Sequence, residues 1–341
     1  MAKVLVTGGS GFIAAHVMLR LIEEGHEVRA TLRKLSRADE VRAMLAVGGA
    51  PEAKVEFHAA DLTAEAGWAE AAAGVDYVMH VASPLPAAMA GTDSELVGPA
   101  RDGTLRVLRA AREAGVKRVV VTSSFAAVGY GHVPGKPRYD ETDWSNPDGP
   151  GVDAYVRSKT LAERAAWDFV GREGGGMELA TVNPVGVMGP ALGTDLSASL
   201  DLVRTLLAGT LPATPRVYFG LVDVRDVAEL HLRAMIEPTA AGERFLATAG
   251  DALSLHEMAQ MLRAGLGPAA WRVPRFEMPD FLVRLVALAL PMARAAVPRL
   301  GIVRSASNEK AKRLLGWAPR PPEEALLATA ESLIRFGVVK T

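Results

Sequence analysis

The chain has 341 residues, 49% of them hydrophobic, so it can bury a substantial core, and its length points to one large domain with an appended lobe or to two domains. Charged residues make up 23% and cancel to a formal net charge of -1, which gives no electrostatic reason to expect nucleic acid or an anionic membrane as partner and favours a small neutral substrate. There is no cysteine, which excludes disulfides, thiolate metal sites and cysteine nucleophiles; no metal centre is expected.

The first apolar run, "KVLVTG" from Lys3, begins at once, without an apolar leader and small-residue cleavage site, so a cytoplasmic location is expected. A helix through "AAHVMLRLIEEG" follows, then the strand "HEVRATLR" and a charged helix to Val47. The alternation continues through "AKVEFHAADL", a helix over "WAEAAAG", "VDYVMHVAS", a helix through "TLRVLRAAREAG", and "VKRVVVTSS". Continuous apolar strands spaced by helices predict an α/β fold, a doubly wound parallel sheet of the Rossmann type that binds ligands beyond the carboxyl ends of its strands.

The Pro/Gly/Asp-rich stretch "ETDWSNPDGPGVD" reads as an exposed loop before the next helix. After "MELATVNPVGVMGP" the alternation weakens into helical segments, with "ERFLATAG" as a possible further strand and C-terminal helices around "EKAKRLLGW" and "EEALLATAESLIRFG". We expect a dinucleotide-binding domain over residues 1–184, with 217–250 returning to it, and a smaller, mostly helical substrate lobe from 185–216 and 251–341. The apolar stretch "FLVRLVALALPMARAAVPRLG" from Phe281 is interrupted by Arg284, Pro291 and Arg294, too often for a membrane span, and reads as a helical wall of the lobe, kinked or ended near Pro291.

The turn "TGGSGFIAAH" from Thr7 joins a buried strand to an amphipathic helix, the context a dinucleotide fingerprint requires. Its match is framed as Gly8, Gly11, Ala14 or as Gly9, Gly11, Ala14, and the sequence leaves both open. Gly8, Ser10 and Gly11, with Phe12 and Ile13 at the helix start, are candidate cofactor contacts, because small residues let backbone amides approach a pyrophosphate at a helix N-terminus. The second strand ends in "ATLRK" where an NAD enzyme would place an acid for the ribose hydroxyls. Arg33, with Lys34 or Arg37, would instead hold the 2′-phosphate of NADP(H), although Arg37 alone reads as a solvated charge near a helix start; Asp39 and Glu40 leave a weaker NAD-binding mode open.

In "DAYVRSKTLAERAAWDF", Tyr155 and Lys159 share one face of a predicted helix. A nearby ammonium would favour the phenolate and so make the Tyr155 phenol a better acid, able to donate its proton to a carbonyl as hydride arrives. Ser123 and Ser124 end the fifth predicted strand, where one hydroxyl would bond the carbonyl oxygen and the other cap the following segment.

These blocks, with "HVASP" at His80 to Pro84, "YDETDW", "NPVGVMGP" and "VDVRDVAELH", resemble the extended short-chain dehydrogenases/reductases, and within them the dihydroflavonol reductase, cinnamoyl-CoA reductase and bacterial aldehyde reductase group. The resemblance implies that Ser124, Tyr155 and Lys159 form the catalytic set and that Lys159 also binds the nicotinamide ribose. It implies that Asp61 and Leu62 flank the adenine, that Val81, Ala82 and Ser83 line the ribose and nicotinamide side, and that Pro184 and Val187 lie near the nicotinamide. In two places the chain departs from the group: Ala14 replaces the third glycine, and the lysine that follows the arginine of "ATLR" has no clear counterpart.

The expected function is NADPH-dependent reduction of an aldehyde or ketone, by a monomer or homodimer. The segments expected to rim the pocket, "PLPAAMAG", "FAAVGYGH" and Val185 to Thr194, are mostly small and apolar, which suits a neutral carbonyl compound. Tyr130 and His132 stay outside the catalytic set, and Arg225 and Asp226 read as a helix-start feature. The alternatives are a hydroxysteroid dehydrogenase-like oxidoreductase, an NAD-dependent sugar-nucleotide epimerase or dehydratase, and a non-catalytic dinucleotide sensor.

Overall fold

A computed structural model describes residues 1–84, 92–132, 135, 136 and 138–340. Seven parallel strands form its central sheet: β1 (Lys3–Val6), β2 (Glu27–Leu32), β3 (Val55–Ala59), β4 (Tyr77–His80), β5 (Arg118–Thr122), β6 (Glu178–Pro184) and β7 (Arg244–Ala247). Their spatial order is β7-β6-β5-β4-β1-β2-β3, so the chain winds outward from β1 in one direction, returns, and winds out from β4 in the other. That reversal between β1 and β4 opens a crevice at the carboxyl edge of the sheet, where ligands of doubly wound folds bind.

Helices α1 (Phe12–Glu23) and α2 (Ala38–Val47) follow β1 and β2, and the short α3 (Trp68–Ala72) follows β3. Helices α4 (Asp93–Glu113) and α5 (Ala154–Glu173) follow β4 and β5. The sequence signals only the second half of α4, because Gly98 and Pro99 interrupt the helical pattern of the first half. A capping box between Thr92 and Glu95 starts that helix at Asp93, eleven residues before Thr104, where the apolar run begins. Val4 and Val6 of β1 bury into a core with Val17, Met18 and Leu21 of α1, whereas Leu5 buries on the opposite face with Val107, Leu108 and Phe169. This period-two split is what a sheet covered on both faces requires.

Beyond the sheet, α6 (Ala198–Leu207), α7 (Val224–Ile236) and α8 (Leu255–Leu266) lead to the C-terminal segment. Helix α7 buries against the sheet core, while α6, α8 and the last helix surround a separate cluster with Met188, Val203, Leu206, Met258 and Leu326. The apolar stretch from Phe281 is broken into α9 (Asp280–Val286) and α10 (Pro291–Ala296), so Pro291 starts a helix and does not end one. Phe281, Leu285 and Leu288 remain exposed. Helices α11 (Glu309–Leu315) and α12 (Pro322–Arg335) complete the fold, and among the described residues no helix is long and apolar enough to cross a membrane.

Candidate active site

The glycine turn lies at the crevice, between the ends of β1, β2 and β4. Gly8 adopts a φ of +70°, and a Cβ there would lie 3.0 Å from the Cα of Ala82. A Cβ at Gly9 would lie 2.9 Å from the Cβ of Ala30. Both framings of the fingerprint therefore have a physical basis, Gly8 against the end of β4 and Gly9 against β2. The N–H of Gly8 donates to Thr31 Oγ1 at 3.1 Å, that of Gly9 to the Thr31 carbonyl at 2.9 Å, and that of Gly11 to the Gly8 carbonyl at 2.9 Å.

Gly11 then caps α1 with no side chain of its own, and the first turn holds no acidic residue. The first-turn N–H groups, those of Phe12 and Ile13 among them, are left for an anion, so this cradle fits a pyrophosphate. Ala14 is fully buried, which suits the packing role of the third fingerprint position.

A directional chain of hydrogen bonds pins the neighbouring strand end. The N–H of Ala82 donates to Thr7 Oγ1 at 3.0 Å, and Thr7 Oγ1 in turn lies 2.9 Å from His80 Nδ1. His80 Nε2 lies 3.3 Å from Thr104 Oγ1, which donates to the Ala100 carbonyl at 2.8 Å. Because the Thr104 hydroxyl proton goes to the Ala100 carbonyl, its Oγ1 accepts from Nε2, which leaves Nδ1 of the neutral imidazole to accept from Thr7. Burial, with a smaller contribution from the Lys159 charge, lowers the His80 pKa to about 3, consistent with that neutral tautomer. Thr7 and His80 thus hold Val81, Ala82 and Ser83 in place; "HVASP" was visible in the sequence, but the partners of its histidine were not.

At the end of β2, Arg33 and Lys34 are exposed and make no hydrogen bond or ion pair among the described residues. Arg33 acts electrostatically on Asp61, whose carboxyl is held low chiefly by the backbone N–H and hydroxyl of Thr63. Leu62 packs close to Gly103, where a Cβ would lie 2.7 Å from its own. Arg37 is not simply solvated: its Nη1 donates to Ser10 Oγ at 3.1 Å, and the guanidinium pairs with Glu40 and, at 3.0 Å, with Asp195. His16 Nε2, 3.0 Å from the Pro190 carbonyl, ties the same loop to α1, and burial lowers its pKa to about 4.

At the end of β5 the two serines part. Ser123 Oγ donates to the buried carboxylate of Glu163, which also accepts from Asn183 Nδ2 at 2.6 Å and Arg244 Nε at 2.7 Å. Ser124 Oγ accepts from the N–H of Ala126 at 3.1 Å, capping a short 3-10 turn, and from the hydroxyl of Tyr155 at 3.4 Å. Ser124 therefore makes the cap that the sequence reading gives to one of the pair, and it is also the serine that reaches Tyr155.

Asp153 caps α5 by accepting from Val156 N–H at 2.9 Å, which sets Tyr155 and Lys159 on one helical face toward the sheet edge. Lys159 is 8% exposed and lines a small enclosed cavity with His80, Ser83, Thr104, Ser123 and Glu163. Burial lowers its pKa to about 8, opposed by the Glu163 charge. Burial pushes the Tyr155 pKa up, opposed by the Ser124 hydrogen bond, where the sequence predicts a phenol pulled down by its lysine.

Pro184 is buried at the end of β6. Val187, 7% exposed, belongs to the core and to a two-strand pairing of Gly186–Met188 with Leu221–Asp223. Arg225 pairs with Asp223, and Asp226 with Arg320, as a helix-start feature would. Of the expected pocket rim, Phe125 to His132 sits beside Ser124, whereas Leu85 to Gly91 lies outside the described residues. Among the described residues no three potential metal-binding side chains come together.

A profile of the NAD dependent epimerase/dehydratase family matches residues 4–246. The chain belongs to that family. It is 37% identical over 251 residues to a cinnamoyl-CoA reductase of Medicago truncatula, covering 71% of this chain and 75% of that protein. It is 31% identical over 289 residues to a dihydroflavonol 4-reductase of Zea mays, covering 81% and 76%. Among solved structures it resembles yeast methylglyoxal/isovaleraldehyde reductase Gre2 complexed with NADPH, with a TM-score of 0.79 and 26% identity over 98% of this chain and 99% of that one.

Proposed function

We propose that this protein is an NADPH-dependent reductase of aldehydes or ketones, working on a small carbonyl compound. The observation that carries the reading is the Tyr155 hydroxyl donating to Ser124 Oγ at the carboxyl edge of the sheet, with the Lys159 ammonium buried behind it. The named activities of its relatives support the same direction of chemistry.

The Gly8–Ile13 turn would hold the pyrophosphate, Val81, Ala82 and Ser83 the ribose side, Asp61 and Leu62 the adenine, Pro184 and Val187 the nicotinamide side, and Arg33, Lys34 and Arg37 the 2′-phosphate. When bound, NADPH supplies the hydride. The chain's own residues do the rest. Ser124 Oγ already accepts two hydrogen bonds, so its remaining proton is free for the carbonyl oxygen. Burial keeps Tyr155 protonated, which is the form that donates to the developing alkoxide. Lys159, positive at neutral pH, stabilises the phenolate left behind. The oxidation direction would need that phenolate first, which burial opposes.

We take residues 1–184 with 217–250 as the cofactor domain and 185–216 with 251–341 as the substrate lobe, a division supported by the separate apolar cluster around Met188, Met258 and Leu326. A cytoplasmic monomer or homodimer belongs to the same proposal, tested by fractionation and light scattering. Cations at the end of β2 weigh against an NAD-retaining epimerase. The test is initial-rate NADPH consumption, with NADH as control, over a panel of aldehydes and ketones for wild type and Tyr155→Phe. Turnover that prefers NADPH and collapses in the variant supports the reading; cofactor binding without turnover on any carbonyl would overturn it.

A further inference from the structure

Two arginines of the C-terminal segment come to the substrate side of this site. Tyr130 lies six residues beyond Ser124, its N–H donates to Ser145 Oγ at 2.9 Å, and its ring packs edge-on against Phe125 with centroids 6.1 Å apart. Over the Tyr130 ring, 4.7 Å from its centroid, stands the guanidinium of Arg304. Arg304 is rigidly based, because the next two residues, Ser305 and Ala306, pair in register with Arg138 and Tyr139.

Arg304 is only partly exposed, yet among the described residues it makes no side-chain hydrogen bond or ion pair. Its five N–H donors have no carboxylate partner among those residues, although its flat face is stacked. Arg299 stands nearby and reaches Asp153, the cap of α5, at 3.4 Å. Both cations act on the Tyr130 hydroxyl, as does Asp153 with the opposite sign. The three side chains leave one net positive charge beside Tyr130. A half-buried arginine in that position costs desolvation that an anion would offset through charge-assisted hydrogen bonds.

We propose that Arg304, backed by Arg299, is an anion-recognition point, and that the substrate is a carbonyl compound carrying a carboxylate or phosphate away from its reacting carbon. The inference rests on the carbonyl-reductase reading and names the substrate class within it. The proposal departs from the neutral substrate that the sequence predicts, a reading that could not see the charge because about 150 residues separate Arg304 from Asp153 and Tyr155.

The test compares kcat/KM within matched pairs: para-carboxybenzaldehyde against its methyl ester, and para-formylphenyl phosphate against para-methoxybenzaldehyde. Wild type is expected to favour the anionic member of at least one pair by about tenfold, a single charge-assisted contact being of that order, and the pair that responds identifies carboxylate or phosphate as the group recognised. In Arg304→Gln the ratio should fall to near one, and Arg304→Lys should restore part of it. Because the readout is a ratio within one enzyme, partial misfolding of a variant cancels. A wild-type ratio of one or below in both pairs, or a preference that survives Arg304→Gln, would overturn the proposal while leaving the reductase reading intact. Failure to reduce any of the four by an enzyme that turns over other carbonyl compounds would overturn the proposal alone; no turnover on any carbonyl of the wider panel would overturn the reductase reading with it.

Discussion

Replacing Gly8 by alanine separates the two demands that the structure places on the turn. The first is conformational: at a φ of +70° an L residue costs about 1–2 kcal/mol. The second is steric, since the new Cβ would meet Ala82 at 3.0 Å from Cα, 3.1 Å from Cβ and 3.3 Å from N. Ala82 cannot easily retreat, because its N–H is bound to Thr7 Oγ1 and Thr7 to His80, so a further overpacking cost of ~1–3 kcal/mol is expected. Gly25 is the control, with a φ of +74° and nothing within 4 Å of a built Cβ. Gly25→Ala should lower the melting temperature by a few degrees and leave NADPH affinity at the wild-type value. Gly8→Ala should be less stable than the control and should weaken NADPH by at least about tenfold, because the same displacement disturbs both the phosphate cradle and the β4 end. Fluorescence titration with NADPH and thermal melts of the two variants provide the comparison. Equal NADPH affinity in Gly8→Ala and Gly25→Ala would refute the claim that this turn is the cofactor cradle.

Further outcomes follow from other parts of the site. Tyr155→Phe should lose about 100- to 10,000-fold in kcat with carbonyl substrates while its NADPH titration stays close to wild type, since only the proton donor is removed. The Lys159 pKa of about 8 means the ammonium is present below that pH and lost above it, so kcat/KM for NADPH, which reports the free enzyme, should fall as pH rises through about 8; a flat profile to pH 10 would show that the ammonium is not required. Glu163→Ala strands the buried Arg244 guanidinium, which also lies 3.7 Å from the Trp144 ring centroid, and should destabilise by about 3–5 kcal/mol in thermal or urea unfolding; a loss below 1 kcal/mol would show the pair to be dispensable. Arg37→Ala should raise KM for NADPH by about tenfold or more and that for NADH much less, as steady-state kinetics with both cofactors would reveal.

What the sequence made legible is local in the chain. The Gly8 to Ala14 turn, the alternation of strands and helices, and the i,i+4 spacing of Tyr155 and Lys159 all rest on neighbours within a few residues, and the doubly wound sheet they predict is the one found. The resemblance alone singles out Ser124 over Ser123, and the structure places the two differently: Glu163 takes the hydroxyl of Ser123, while Ser124 is within reach of Tyr155. The contacts that escaped are non-local. Arg37 reaches Asp195 across 158 positions, and Glu163 meets Arg244 across 81. Nothing in the composition around these residues signals the partner. The raised pKa of Tyr155 was misjudged for a related reason, because the helix spacing places a lysine nearby but says nothing of how deeply the phenol is buried. The early half of α4 was lost to Pro99, whose local signal opposes a helix that the Thr92 cap and packing sustain.

The most direct test of the central claim is where the hydride goes. NADPH deuterated at its transferable position should be incubated with the wild-type protein and an aldehyde that it consumes, and the product analysed by mass spectrometry and NMR. The account requires an alcohol with deuterium on the former carbonyl carbon and an equal amount of NADP formed. Cofactor consumed without deuterium in the product, or a rearranged product with the cofactor returned unchanged, would contradict it.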